Sequence, residues 1–153
     1  MSSAISAVRR LQFCSGHRVY KHESKCAHLH GHNYVVFLHA QMAASLRESR
    51  GGLGLDELGR VIDFAVLKDR FAPWIENNWD HGFILWEQDA EAIAALSHMS
   101  DQKLFLLDAN PTAENMALHL LNVVAPVVLA GSAVELTRVV LWETENCIVE
   151  VGR

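Results

Sequence analysis

Apolar and polar residues alternate from Val8 to Ser15, which puts Leu11, Phe13 and Ser15 on one face of a first strand; His17 continues that face by parity. A mostly polar stretch, Arg18 to Lys25, reads as loop. His32 to Met42 is the clearest strand, with Val35, Val36, Phe37 and Leu38 at its centre. Ser49 to Gly54 is a turn-rich break, and Gly59 to Ile62 reads as a short strand ahead of a helix. Asp63 is placed to N-cap that helix. Phe64, Leu67, Phe71, Trp74 and Ile75 follow at helical spacing, and the helix should end near Asn77-Asn78. Glu87 to Ser100 reads as a short helix with loops. Asn110-Pro111 opens a second long helix, asparagine as N-cap and proline in the first helical position, with Met116, Leu120, Leu121 and Val124 as its buried stripe. Val134 to Trp142 and Cys147 to Val151 read as two further strands, joined by a hairpin turn at Thr144-Glu145-Asn146. Strands at both ends with helices between them predict an α+β fold, with helices on one face of an antiparallel sheet.

The 153 residues, half of them hydrophobic, suffice for one domain with a real core. A net charge of −5 without a basic stripe argues against nucleic-acid binding. Apolar runs such as Val123 to Gly131 contain a proline and are far too short to span a membrane. Met1 to Arg10 lacks the apolar core of a signal peptide. Three cysteines, an odd count without dense spacing, do not suggest a disulfide scaffold, so a reduced, cytoplasmic protein is expected. Histidine is the oddity: of nine, four fall between His22 and His32.

The stretch Cys26-Ala27-His28-Leu29-His30-Gly31-His32-Asn33-Tyr34 carries a thiol and three imidazoles just ahead of the apolar run. On a strand, His30 and His32 point to the same face with Cα atoms roughly 6.6 Å apart. Two imidazoles at that separation can share one metal ion at about 2.0–2.1 Å each. His17 supplies a third ligand if the first two strands are neighbours. Zinc is the natural metal for imidazoles without a carboxylate cage, and three protein ligands leave an open, catalytic-type position. Cys26, still in the loop, is either a ligand or a thiol beside a metal-bound substrate; the residues alone leave both open. His22, His28, His39, His98 and His119 read as ordinary surface or core residues, and Cys14 and Cys147 as buried, inert thiols.

Taken in order, Phe13 with His17, Cys26-x-x-x-His30-Gly31-His32, Asp63-Phe64, Asp80-His81, Pro111-Thr112-x-Glu114-Asn115 and Glu143-Thr144 resemble the 6-pyruvoyl-tetrahydropterin synthase family over almost the whole chain. The three residues between the cysteine and His-Gly-His look like the bacterial branch, the 6-carboxytetrahydropterin synthases of queuosine biosynthesis. The resemblance implies a tunnelling fold (T-fold), a four-stranded antiparallel sheet with two helices on one face. Three such sheets would join into a trimeric barrel, and two trimers would stack into a homohexamer with active sites between subunits. It implies one zinc ion per subunit on His17, His30 and His32, with Cys26 as the catalytic thiol and Asp80-His81 as a proton-transfer pair. Glu143, on the strand face of Val139 and Leu141, would anchor a pterin, with Thr112 and Glu114 lining its pocket.

The implied substrate is 7,8-dihydroneopterin triphosphate. Alternatives within the family are a pyruvoyl-tetrahydropterin synthase and a folate-pathway variant cleaving dihydroneopterin. A reading from a different class is a zinc-binding module without turnover, in which Cys26 closes the metal shell. The chain departs from its relatives at Trp79 and Gly82, where many carry leucine before the Asp-His pair and a polar residue after it. Residues 86–107 exceed what a minimal member needs and are expected as an insertion in a single domain spanning 1–153. Arg18, Lys21 and Lys25 flank the site as candidate cations for the triphosphate.

Overall fold

In the computed structural model, which describes residues 3–153, strands β1 (Ala7–His17) and β2 (His30–Met42) pair antiparallel, with Ala7 opposite Ala40 and His17 opposite His30. The stretch Met1 to Arg10 lies partly outside these residues. Two further antiparallel strands, β5 (Val134–Thr144) and β6 (Cys147–Gly152), continue the sheet from β2. These are the four strands that alternation predicts, each slightly longer than the pattern shows.

The four-stranded antiparallel sheet is nevertheless corrected to a mixed sheet of six strands. β3 (Gly82–Trp86) runs parallel to β1, and β4 (Leu104–Leu107) parallel to β3, giving the order β4-β3-β1-β2-β5-β6. Neither strand alternates, because both of its faces meet apolar residues. Ile84, Phe105 and Leu107 belong to the main core, whereas Phe83, Leu85 and Leu104 turn to the other face.

Helix α2 (Phe64–Asn78) and a second helical run cover the main face. That run is α4 (Ala113–His119), a π-helical turn at Leu120–Val124, and α5 (Ala125–Val128). Leu67, Phe71, Ile75, Met116 and Leu120 from the helices close on Phe13, Tyr34, Leu38, Val139 and Leu141 from the sheet. The short α1 (Ala44–Ser49) follows β2. α3 (Ala90–Ser97) packs Ala92 and Leu96 on Leu85, on the opposite face. Residues 82–107 are therefore a β3–α3–β4 crossover that adds two strands and a helix on the far side of the sheet. Gly16 is the contact point: a Cβ there would clash with the Phe83 ring.

Three local expectations change. Gly59–Ile62 is a turn, not a strand: the Asp56 carboxylate accepts from the backbone of Leu58 and Arg60 and pairs with the Arg60 side chain at 2.9 Å. α2 begins and ends where expected, with the Asp63 carboxylate accepting from Ala65 N–H at 2.9 Å. The second helix starts later than Asn110-Pro111 suggests. Thr112 is its N-cap, the hydroxyl accepting from Asn115 N–H at 3.2 Å, because Asn110 and Pro111 are engaged elsewhere. Finally, Cys14 and Cys147 are exposed, not buried. The parity that buries Phe13 and Ser15 turns Cys14 outward, and Cys147 lies on an edge strand. Among the described residues no helix is long and apolar enough to cross a membrane.

Candidate active site

Pairing of β1 with β2 sets His17 opposite His30 and Ser15 opposite His32. One ligand nitrogen from each of the three imidazoles lies within 4.8 Å of the others, the one such His/Cys/Asp/Glu group among the described residues. His17 is buried; His30 and His32 are half-buried. His17 Nδ1 lies 2.7 Å from the Pro111 carbonyl and His30 Nδ1 lies 2.7 Å from the His28 carbonyl. A carbonyl only accepts, so both Nδ1 atoms carry a proton, and in the neutral rings both Nε2 atoms present lone pairs. Those two Nε2 atoms face each other at 3.1 Å. Lone pairs at that distance repel unless a cation lies against both. Burial pushes the His17 pKa down to about 4, which disfavours a proton in that role. His32 Nε2 is buried with no hydrogen-bond partner. The three imidazoles, two of them oriented through Nδ1–H to backbone carbonyls, form a group that could hold a metal ion.

Glu143 borders this group, its carboxylate 3.6 Å from His32 Nε2 and 4.0 Å from His17 Nε2. It extends the face of Val139 and Leu141, both fully buried, and is itself half-buried. Tyr34 lies fully buried beside the histidines, its ring 5.4 Å from that of His32. Burial, reinforced by the Glu143 charge, pushes the Tyr34 phenol pKa up, so it stays protonated.

Asp80 and His81 are held against β1 at Cys14. Cys14 N–H donates to Asp80 Oδ1 at 2.9 Å, and His81 N–H donates to the Cys14 carbonyl at 2.7 Å. His81 Nδ1 lies 2.7 Å from Asp80 Oδ2. Partial burial would raise the Asp80 pKa, but the Cys14 N–H and His81 bonds outweigh it and hold the carboxyl below its usual range. His81 adopts φ 56°, an uncommon left-handed conformation for histidine, and its side chain is 79% exposed. The departures on either side have local causes. Trp79 is fully buried in the core, and at Gly82 a Cβ would meet the Lys103 side chain at 2.8 Å. A cleft of about 430 Å³ is lined by Cys14, His30, His32, Asn33, His81 and Gln102.

Cys26 sits in a single 3-10 turn, Lys25–Ala27, half-buried, with its carbonyl accepting from Val19 N–H at 2.8 Å. It is not part of the histidine group. Thr112 is half-buried at the helix N-cap, and Glu114 is exposed in the first turn. Arg18 is not a free cation. Its guanidinium makes two 2.6 Å bonds to the fully buried Asp89 and a third, at 3.2 Å, to Glu91. Lys21 and Lys25 are exposed. The residues that sequence reasoning missed are Asp89, Asn110 and the Pro111 carbonyl. None carries a local signal of its role, since each acts on a partner more than seventy residues away.

Residues 6–153 match the 6-pyruvoyl tetrahydropterin synthase family. The chain is 41% identical over 147 residues to the 6-carboxy-5,6,7,8-tetrahydropterin synthase of Rickettsia bellii, covering 96% of this chain and 99% of that one. It is 28% identical to the synthase of the same name from Haemophilus influenzae, with 93% and 94% covered. The fold is that of an uncharacterized protein from Wolinella succinogenes, at a TM-score of 0.79 and 21% identity over 99% of both chains. Caenorhabditis elegans 6-pyruvoyl tetrahydropterin synthase superposes at a TM-score of 0.64 and 21% identity, covering 99% of this chain and 96% of that one. Both the sequence match over nearly the full length and the shared fold lead to one conclusion: this chain is an enzyme of the 6-pyruvoyl tetrahydropterin synthase family.

Proposed function

We propose that the chain is a zinc-dependent 6-carboxy-5,6,7,8-tetrahydropterin synthase of queuosine biosynthesis, a carbon–carbon lyase. It would convert 7,8-dihydroneopterin triphosphate and one water into 6-carboxytetrahydropterin, acetaldehyde and triphosphate. The observation that carries the reading is the facing pair of Nε2 lone pairs on His17 and His30, a cation site, in a chain so similar to a synthase of that name. In this proposal His17, His30 and His32 hold one zinc ion per subunit, which supplies Lewis acidity to the substrate's side-chain hydroxyls.

The chain's own groups do the rest. Asp80 accepts the hydrogen bond from His81 Nδ1–H, leaving Nε2 free to accept a proton from the substrate side chain. The Cys26 thiol is the second proton-transfer group, its thiolate being the reactive form. Glu143 accepts hydrogen bonds from the guanidine-like edge of the pterin, with Thr112 and Glu114 lining the pocket. The open exposure of His81 supports an arrangement in which a neighbouring subunit completes the site, in a homohexamer built from two trimeric barrels. Residues 86–107 are an insertion in one domain, and the enzyme works in the cytoplasm.

The test is to incubate zinc-loaded protein with 7,8-dihydroneopterin triphosphate and identify products by mass spectrometry. Carboxytetrahydropterin with acetaldehyde is expected. Pyruvoyl-tetrahydropterin, or cleavage of dihydroneopterin itself, would keep the family and overturn the branch. Cys26→Ala should keep zinc and lose turnover; full turnover would remove the thiol's role.

A further inference from the structure

Asp89 is a carboxylate with no exposed surface, on a segment that the proposed chemistry does not use. A buried charge is retained only against a partner, and here the partner is specific. Arg18 forks onto both carboxylate oxygens at 2.6 Å, and the same carboxylate accepts from Ala92 N–H at 3.2 Å to cap α3. Arg18 directly follows the histidine ligand His17. It opens the loop that runs to Cys26. Three ties fix that loop: the Arg18–Asp89 fork, a reciprocal pair in which Asn110 accepts from Tyr20 N–H at 2.8 Å and donates to the Tyr20 carbonyl at 2.9 Å, and Val19 N–H on the Cys26 carbonyl. The Tyr20 ring packs edge-on against Trp86, at the end of β3, with centroids 5.8 Å apart. Two of these contacts, Asp89 and Trp86, come from the β3–α3–β4 crossover.

We infer that the crossover is a brace for the thiol: Asp89, through Arg18, is a positioning residue that sets where Cys26 stands relative to the histidine group. His17 is held separately, by the Pro111 carbonyl, so the brace acts on the thiol and not on the metal site. The inference rests on the proposed role of Cys26, but its first readout does not need turnover.

The experiment compares zinc-loaded wild type with Asp89→Asn and Arg18→Lys. It measures alkylation of Cys26 by iodoacetamide (read by peptide mass spectrometry, which separates it from Cys14 and Cys147), zinc content, melting temperature, kcat and KM. Asp89→Asn keeps the shape and removes the charge. Arg18→Lys keeps the charge and removes the fork, so it decides the matter if the first variant does not fold. The expected result is zinc retained at one per chain, faster alkylation of Cys26, and kcat lowered by about a hundredfold, the scale of a 1 Å misplacement, with KM little changed. Unchanged alkylation and kcat in a folded variant would overturn the inference. So would loss of zinc together with cooperative melting in both variants, which would make the pair a general fold contact. If the wild type proves inactive on the pterin, the proposed function fails, while faster alkylation in the variants still upholds the brace.

Discussion

The two imidazole groups of this molecule use their nitrogens in opposite ways. In the His17, His30, His32 group, one nitrogen of His17 and one of His30 are tied to backbone carbonyls, and the remaining nitrogens converge in a half-closed space. In His81 one nitrogen is tied to the Asp80 carboxylate and the other faces solvent. A carbonyl fixes a tautomer without adding charge, which suits a ligand that must stay neutral. A carboxylate fixes the tautomer and also stabilises the protonated ring, which suits a group that must gain and lose a proton. In the proposed function, these different partners separate metal holding from proton handling.

Removing one member of each group breaks the comparison most severely. His17→Ala should abolish stoichiometric zinc, measured by metal analysis after dialysis. His81→Ala should retain full zinc and lower kcat by about 10²–10⁴-fold, the usual worth of a positioned acid–base group. Zinc lost in both variants, or in neither, would collapse the distinction.

A pH series sharpens it. The folded pKa of His17 lies near 4, below the 6.5 of the unfolded chain, so the unfolded state binds more protons between those values. Stability from this group is complete above about pH 6.5 and is lost as pH falls toward 4. The melting temperature of metal-free protein should fall across that window, and zinc should leave the loaded protein in the same window. A melting temperature flat from pH 7 to about 4.5 would mean that His17 is solvated rather than buried.

Smaller effects test the frame around the two groups. Gly16→Ala should cost about 1–3 kcal/mol by calorimetry, since the new methyl meets the Phe83 ring, which must be displaced on β3. Because β3 follows His81 directly, turnover should suffer more than zinc binding. Thr112→Ala should cost about 1 kcal/mol through loss of the helix cap, whatever its effect on substrate.

Legibility in the sequence followed the range of the interactions. β1 and β6 are readable because apolar and polar residues alternate along them, and β2 and β5 because their central runs, Val35 to Leu38 and Val139 to Trp142, are apolar and rich in β-branched residues inside longer strands. The same parity placed His17, His30 and His32 together, needing only that neighbouring strands pair. β3 and β4 were not readable as strands: Phe83-Ile84-Leu85-Trp86 and Leu104-Phe105-Leu106-Leu107 are short apolar runs without a period. The N-cap at Asn110 was a reasonable inference from Asn-Pro, yet the asparagine is drawn away by the Tyr20 backbone, ninety residues off. Cysteine's usual burial predicts an inert, buried Cys14, whereas strand parity turns it outward. The family resemblance supplied what no spacing could, the roles assigned to Cys26, Asp80 and Glu143.

The hydrogen bond from His17 to the Pro111 carbonyl also bears on the order of events during folding. Histidines 17 and 30 are thirteen residues apart and meet when one hairpin closes, whereas His17 and Pro111 are separated by ninety-four. Closing the short loop is the cheaper and earlier event. The ring nitrogens therefore come together before the carbonyl that selects the His17 tautomer arrives. A metal ion met at that stage would bind a hairpin whose His17 ring is still free to turn, and would bias the chain toward its native register. For His17, meeting the neighbouring ring and fixing its tautomer are in this sense two separate steps, the first local and the second dependent on nearly the whole chain.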